Sequence, residues 1–148
     1  MKSSSLPSDI LVTPLKRISH PQGDILHIIQ IGSPGTSLIK EVYASHIHKN
    51  ETKGWKRHLQ LPLNIVVIAG KINFSFADNR NKDVATSYSN LLLSPSENHS
   101  RITIPPLIWV SFTGLHDFNI LINSIPELHN PEEAENLPLS TFPFHDVE

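Results

Sequence analysis

The chain has 148 residues, enough for one domain with a substantial core and too few for two ordinary ones. Apolar residues make up 39% and the net charge is −2, so the composition is globular and gives no reason to expect nucleic acid or a membrane as partner. The lack of cysteine excludes disulfides, thiolate metal sites and a cysteine nucleophile. The start MKSSSLPSDI has no signal-type apolar stretch, so we expect a cytoplasmic protein.

Short β segments separated by turn residues follow one another along the chain. Residues 1–9 are polar, and we expect them to be mobile. Apolar or alternating runs predict strands at 24–31, 37–48, 54–60, 63–69, 71–77, 88–93, 101–104, 108–112 and 118–125. The run 63–69 is almost wholly apolar, which predicts burial on both faces. This even spacing of short strands predicts a single all-β domain, either a sandwich or a barrel.

The C-terminal part contains the one helix candidate. Asn130 suits an N-cap, Pro131 suits the first helical position, and glutamates at 132, 133 and 135 complement the helix dipole. This pattern predicts one short helix of one or two turns. The tail 137–148 is expected to lie over the barrel surface.

Histidine and lysine cluster in the middle of the chain, on two predicted strands joined by the polar loop 49–52. Residues two apart on a strand point to the same side, so each strand presents two of these side chains together. If the strands are neighbours, one polar cavity is lined by His46, His48, Lys56 and His58. Trp55 and Arg57 would then face the opposite side. Because burying such side chains is costly, a polar cavity would indicate a functional site.

Two alternatives to this cavity remain open from the residues alone. The histidines could lie on an exposed face, as polar residues near loops commonly do. His46, His48 and His58 could instead bind a metal ion through their imidazoles. The metal-binding cupins usually place a final His after a Pro-x-Gly turn, and Leu107 and Val110 occupy those positions here, which counts against a metal.

Several stretches together resemble one family. EVYASHIHKNETKGWKRHLQLPLNIVVIAGKINFSF is similar to the front half of the dTDP-4-dehydrorhamnose 3,5-epimerase group of sugar-nucleotide epimerases. RITIPPLIWVSF resembles that group's Ile-Pro-Pro-Gly stretch, and ILINSIPELHNPEEAENLPL resembles its C-terminal portion. The sister dTDP-ketohexose isomerases share the same barrel. The resemblance covers residues 18–138, most of the chain.

The resemblance implies a double-stranded β-helix, the jelly roll of the cupins, working as a homodimer without a metal or other cofactor. It implies a nucleotide-sugar substrate, a dTDP-4-keto-6-deoxy sugar, in a pathway to surface polysaccharide. The reaction would remove a proton next to the keto group and return it, so it needs a base, a group that stabilises the enolate, and an acid. The strand 10–13 could add to the sheet edge of a partner subunit.

The resemblance also assigns positions in this chain. The family's catalytic His falls on Lys56, and His58 keeps the second His of the isomerases' His-x-His. The family's catalytic Tyr falls on Asn123, and Lys53-Gly54 stands for the Arg-Gly that touches the nucleotide. We therefore expect His58 to transfer the proton and Lys56 to stabilise the enolate or a phosphate. The substrate-binding candidates are His46, His48, Lys53, Arg57 and Asn123.

The two replaced positions leave other functions open beside an active isomerase. A sugar-binding cupin without catalysis would need no acid at Asn123. A metal-binding cupin would use three histidines. Deuterium incorporation from solvent separates the first two hypotheses, and metal content separates the third.

Overall fold

The computed structural model describes residues 5–36 and 38–143. The strands in chain order are β1 (Leu11–Pro14), β2 (Arg17–Ile18), β3 (Ile25–Leu26), β4 (Glu41–Ile47), β5 (Thr52–His58), β6 (Leu63–Ala69), β7 (Ile72–Asp78), β8 (Ser87–Leu93), β9 (Ser100–Ile104), β10 (Trp109–Gly114), β11 (Asn119–Ile125) and β12 (Ala134–Asn136). Two 3₁₀ turns, Pro131–Glu133 and Leu139–Thr141, complete the secondary structure of this part. None of its helical segments has the length and hydropathy needed to span a membrane.

Two antiparallel five-stranded sheets form the body of the structure. The first has the order β1-β9-β6-β11-β4 and the second has the order β12-β5-β10-β7-β8, while β2 and β3 make a small hairpin. Side chains from both large sheets form one core, in which Ile72, Phe74 and Ile102 are completely buried. The predicted all-β class is confirmed, with two facing sheets as in a jelly roll.

The central position of β6 explains its apolar sequence. This strand lies between β9 and β11, and its residues 63–67 are buried on both faces. Its inner face meets the core, while the loop before β4 covers its outer face. There Asn64 Nδ2 donates to Gly35 O at 3.1 Å, and Thr103 Oγ1 donates to Asn64 Oδ1 at 2.6 Å. The prediction that this run is buried on both sides is confirmed.

The predicted strand at 24–31 is mostly wrong. Only Ile25–Leu26 pairs in a ladder, with Arg17–Ile18. The isoleucines that follow pack beside Val42 and Ile122 on the outer surface of the first sheet. High isoleucine content indicated a strand, but these residues contribute apolar contacts without backbone pairing.

The C-terminal segment forms a single 3₁₀ turn followed by an edge strand, where a helix of one or two turns was predicted. Asn130 Oδ1 caps the turn by accepting from Glu132 N at 3.1 Å, as expected, but the helix is one 3₁₀ turn. The chain then pairs with β5 through Ala134 and its neighbours, because the free edge of β5 offers ladder hydrogen bonds. The described part of the tail packs on Trp55 and Trp109, so the prediction that it covers the barrel is confirmed there.

The expected mobile start is partly within the described range. Leu6 packs against the core, and Asp9 Oδ2 lies 2.6 Å from Arg80 Nη1. Residues 1–4 of that start and residues 144–148 of the tail lie outside the described residues.

Candidate active site

A cavity of about 310 Å³ lies between the two large sheets. Its polar lining residues are Tyr43, Ser45, Lys53, Lys56, His58, Asn123 and Asn136. Its apolar floor is formed by Leu63, Ile65, Val110, Phe112 and Leu121. The volume falls at the lower end of the roughly 300–1,000 Å³ usual for small-molecule sites, and a mostly apolar wall with a few polar groups is their usual construction.

A β-bulge in β5 brings two lysines to the cavity. Lys56 pairs with Val110 and Lys53 pairs with Phe112, so β5 has one residue more than β10 over this stretch. Both lysines therefore face the cavity although they are three positions apart. Gly54 fits the bulge because its φ is +126° and a Cβ there would lie 2.7 Å from the carbonyl oxygen of Val110.

His58 ends β5 on the same wall, and its side chain is 7% exposed. Burial lowers the pKa of His58 below its ordinary value of 6.5; the charge of Lys56 and a smaller effect of His129 lower it further, while Glu133 opposes the shift. The imidazole is therefore neutral at pH 7 and able to accept a proton. The prediction that Lys56 and His58 share a cavity wall is confirmed, while their chemical roles stay predictions.

Tyr43 is a functional candidate that the sequence reasoning missed. It lies directly opposite Asn123 on the neighbouring strand, and Asn123 Nδ2 donates to Tyr43 Oη at 2.8 Å. Burial raises the pKa of the Tyr43 phenol, so it stays protonated at pH 7. Because the phenol oxygen accepts from Asn123, the phenol proton is available to a bound molecule. The sequence signal for Tyr43 is the alternation along β4, which places it on the same face as the apolar Ile47.

The charge on the cavity wall is positive. Lys53 and Lys56 line it, and no carboxylate lines it in the described part of the chain. Lys53 Nζ donates to Ser45 Oγ at 2.9 Å, which links the two sheets at this point. Lys56 is half-buried and has no ion-pair partner within residues 5–36 and 38–143. Such a cavity suits an anionic group or a developing negative charge.

His46 and His48 do not line the cavity. Both are exposed: His46 lies on the outer face of β4 and His48 follows the last residue of that strand. Their ring centroids lie 4.8 Å apart, and the ring centroid of His46 lies 4.9 Å from that of Phe118. The inward face of β4 instead carries Tyr43 and the fully buried Ile47. The expectation that the two histidines bind substrate in the cavity is wrong, because alternation defines two faces but does not say which one the core covers.

Arg57 is also directed away from the cavity. Its guanidinium stacks 4.7 Å from the ring of Trp109, and its Nε donates to Glu135 Oε2 at 2.6 Å. Trp55, on the same outer face of β5, is completely buried beneath the C-terminal segment. The predicted orientation of Trp55 and Arg57 is confirmed, and Arg57 as a substrate-binding residue is wrong.

The three-histidine metal site is not assembled either. His58 lies on the cavity wall, whereas His46 and His48 lie on the outside of the other sheet. Among the described residues, no three His, Cys, Asp or Glu side chains are grouped so that they could bind a metal ion. The alternative of a metal cupin built on these histidines is therefore wrong.

The fold is that of enzymes acting on dTDP-sugars. No family model and no curated protein sequence matches the chain. A dTDP sugar isomerase from Desulfovibrio desulfuricans G20 superposes with a TM-score of 0.85 at 26% identity, covering 90% of this chain and 87% of that one.

More distant structures share the fold. A sugar 3,4-ketoisomerase from Thermoanaerobacterium thermosaccharolyticum in complex with TDP has a TM-score of 0.70 at 17% identity, covering 86% of this chain and 88% of that one. A 3,5-epimerase from Legionella pneumophila in complex with dTDP-4-keto-L-rhamnose has a TM-score of 0.76 at 16% identity, covering 93% and 77%. The structural neighbours are thus dTDP-sugar isomerases and dTDP-4-dehydrorhamnose 3,5-epimerases with the cupin jelly roll, as the sequence resemblance predicted.

Proposed function

We propose that this chain, which has the fold of the dTDP-sugar isomerases and epimerases, is itself an isomerase or epimerase that enolises a dTDP-4-keto-6-deoxy sugar. The observation that supports it best is the cavity between the sheets, where a neutral imidazole and a protonated phenol lie on different walls. His58 belongs to the second sheet, and Tyr43 belongs to the first. A sugar ring between them would have a base on one side and a proton donor on the other.

The first step is proton abstraction by His58. The neutral ring takes the proton from the carbon next to the keto group, and the electron pair of the broken C–H bond moves into the carbonyl to form an enolate. The buried position of His58 supports this role, because burial keeps the ring neutral at pH 7. His58 transfers the proton in place of the family's first His, whose position Lys56 occupies.

Lys56 stabilises the negative charge that follows. Lys56 is half-buried on the same wall as His58, and a cation in a partly desolvated site stabilises an enolate oxygen more than it does in water. Lys53 lies nearer the solvent and binds the diphosphate, in the place where the resemblance puts the nucleotide-binding Arg-Gly.

Tyr43 returns the proton or hydrogen-bonds the sugar oxygen from the opposite wall. Its phenol replaces the family's Tyr, whose position is Asn123 on the adjacent strand. Asn123 then orients the phenol through the 2.8 Å hydrogen bond to its oxygen. Delivery of a proton from the wall opposite His58 would invert the carbon, which favours epimerisation over a proton shuttle on one face.

The alternative function is sugar binding without turnover. It is favoured by the sequence resemblance, which assigns the family's two catalytic positions to Lys56 and Asn123. In this case the cavity binds the nucleotide sugar, but no proton leaves the ring.

We further propose a cytoplasmic homodimer of single cupin-like domains that acts in surface polysaccharide synthesis, which the sequence resemblance implies.

Proton NMR in deuterated water separates the two functions. We expect the wild-type chain, given dTDP-4-keto-6-deoxyglucose, to replace the C3 or C5 proton with deuterium. The variant His58→Gln should bind the nucleotide without exchange. The control Arg57→Gln changes a side chain on the outer face of the same strand and should exchange like the wild type. Broadened nucleotide signals without exchange in the wild type would establish the binding protein instead.

A further inference from the structure

Glu133 lies immediately before β12, the strand that pairs with β5 and its last residue His58. It ends the 3₁₀ turn Pro131–Glu133, and its Oε1 lies 4.0 Å from His58 Nδ1. The Glu133 and His58 side chains are 14% and 7% exposed, so the pair is largely shielded from bulk solvent. No other carboxylate forms an ion pair with His58 in the described part of the chain.

The backbone at the end of β5 fixes the Glu133 carboxylate. Its Oε1 accepts the N–H of Gln60 at 2.6 Å and the N–H of Leu61 at 2.7 Å. Leu59 N also donates to the carbonyl oxygen of Glu133 at 2.9 Å. The two hydrogen bonds to Oε1 therefore hold the carboxylate beside the ring, and the third holds the backbone of Glu133.

The ring itself has an unused polar atom on this side. His58 Nδ1 is buried and has no hydrogen-bond partner among the described residues. The charged groups that act on the ring are Lys56 on its own strand, Glu133, and His129 in the segment before the turn. Lys56 and His129 disfavour the imidazolium form, and Glu133 is the one group of the three that stabilises it.

We propose that Glu133 is a positioning residue for His58, which keeps a proton on Nδ1 and directs Nε2 into the cavity as the base. The proposal rests on the proposed function of His58. When Nε2 takes the substrate proton, the imidazolium that forms lies beside a fixed negative charge, so the charge separation costs less than it would beside Lys56 alone. Burial then keeps the ring neutral before the reaction, while Glu133 stabilises it after proton transfer.

The test replaces the carboxylate with an amide that still accepts hydrogen bonds. In Glu133→Gln we expect the pKa of His58, followed by NMR, to fall, because the imidazolium loses its counter-charge. As the pKa of His58 falls, the acidic limb of the pH profile of kcat/KM moves to lower pH. At its plateau kcat falls about three- to tenfold, since a weaker base abstracts the proton more slowly, and KM changes little. Glu132→Gln removes an exposed charge from the same turn and serves as the matched control, with no shift.

A purely structural role would lower stability and leave the His58 pKa in place, so an unchanged pKa in folded Glu133→Gln overturns the proposal. If that variant does not fold, nitrogen-15 NMR of the wild type decides. The Nδ1–H tautomer of His58 supports the proposal, and the Nε2–H tautomer overturns it. A wild type that shows the Nδ1–H tautomer and the coupling but exchanges no substrate proton would contradict the proposed function and leave the contact between Glu133 and His58 established.

Discussion

The two walls of the cavity differ in charge and in the protons they handle. The wall from the second sheet holds Lys53, Lys56 and His58, which are cations or a base. The wall from the first sheet is neutral, and its polar groups there include Tyr43 and Asn123, joined by one hydrogen bond. One wall is therefore suited to remove a proton and stabilise an anion, and the other to donate a proton.

In the proposed function, this difference explains how the chain retains complementary groups although the resemblance puts the family's His on Lys56 and its Tyr on Asn123. His58 lies two positions beyond Lys56 on one strand, and Tyr43 pairs with Asn123 across two strands. On this proposal, each wall preserves the type of catalytic group although the residue that supplies it lies at a different sequence position. If this comparison holds, a variant of His58 will lose proton abstraction, and a variant of Tyr43 will lose the return of the proton.

The largest effect is expected from His58→Gln. The amide keeps the approximate size and polarity of the ring but cannot take up a proton, so kcat/KM for a 4-keto sugar nucleotide should fall by about 10³ or more. Steady-state kinetics on the purified chain measures this. Full turnover by His58→Gln would show that the base is another group.

The next effect is expected from Tyr43→Phe. Loss of the phenol proton should lower the rate of inverted product about 10²-fold, while deuterium exchange catalysed by His58 continues. Product analysis and proton NMR on the same sample give the two rates. Equal losses of deuterium exchange and of inverted product would mean that residues of one wall both remove and return the proton.

A smaller effect is expected from Lys56→Met. The variant keeps the length of the side chain and loses its charge, so kcat/KM should fall about tenfold and depend less steeply on salt. The control is Lys82→Met, which removes the charge of an exposed lysine that does not line the cavity. If both variants respond alike, the effect is one of net charge and not of this wall.

The smallest effect is a pH dependence of stability. Burial lowers the pKa of His58 in the folded chain below its ordinary 6.5, so the unfolded chain binds that proton more tightly. The shift therefore costs no stability above pH 6.5, where His58 is neutral in both states. The free energy of unfolding decreases as the pH falls from 6.5 through the pKa of His58 in the folded chain. Urea denaturation above and below pH 6.5 should show the loss in the wild type and a smaller loss in His58→Gln. Equal losses would place the responsible group elsewhere.

The sequence predicted the strands better than the faces they present. Alternation on β5 correctly paired Lys56 with His58 and opposed them to Trp55, because the strand pairs without a bulge from Lys56 to His58. On β4 the same rule gave the right pairs and the wrong side, since the two histidines indicated a polar pocket. The full burial of Ile47 determines the orientation, and burial depends on the packed sheets, not on the strand alone.

Two further features of the site depend on tertiary structure. Lys53 shares a face with Lys56 only because a bulge adds one residue to β5, which spacing alone does not reveal. Glu133 belongs to a run of glutamates that indicated a solvated helix start, and it reaches His58 because the chain after it pairs with β5. Local sequence cannot predict contacts between segments that lie so far apart in the chain.

The most direct test of the two-wall account is a crystal structure of the His58→Gln variant with dTDP-4-keto-6-deoxyglucose bound. The account predicts the sugar ring between the sheets, with the reacting carbon about 3.5 Å from the amide introduced in place of the imidazole on one face and the Tyr43 phenol within about 3.5 Å of the other face. A sugar bound outside the cavity, or with both side chains on one face of the ring, would contradict it.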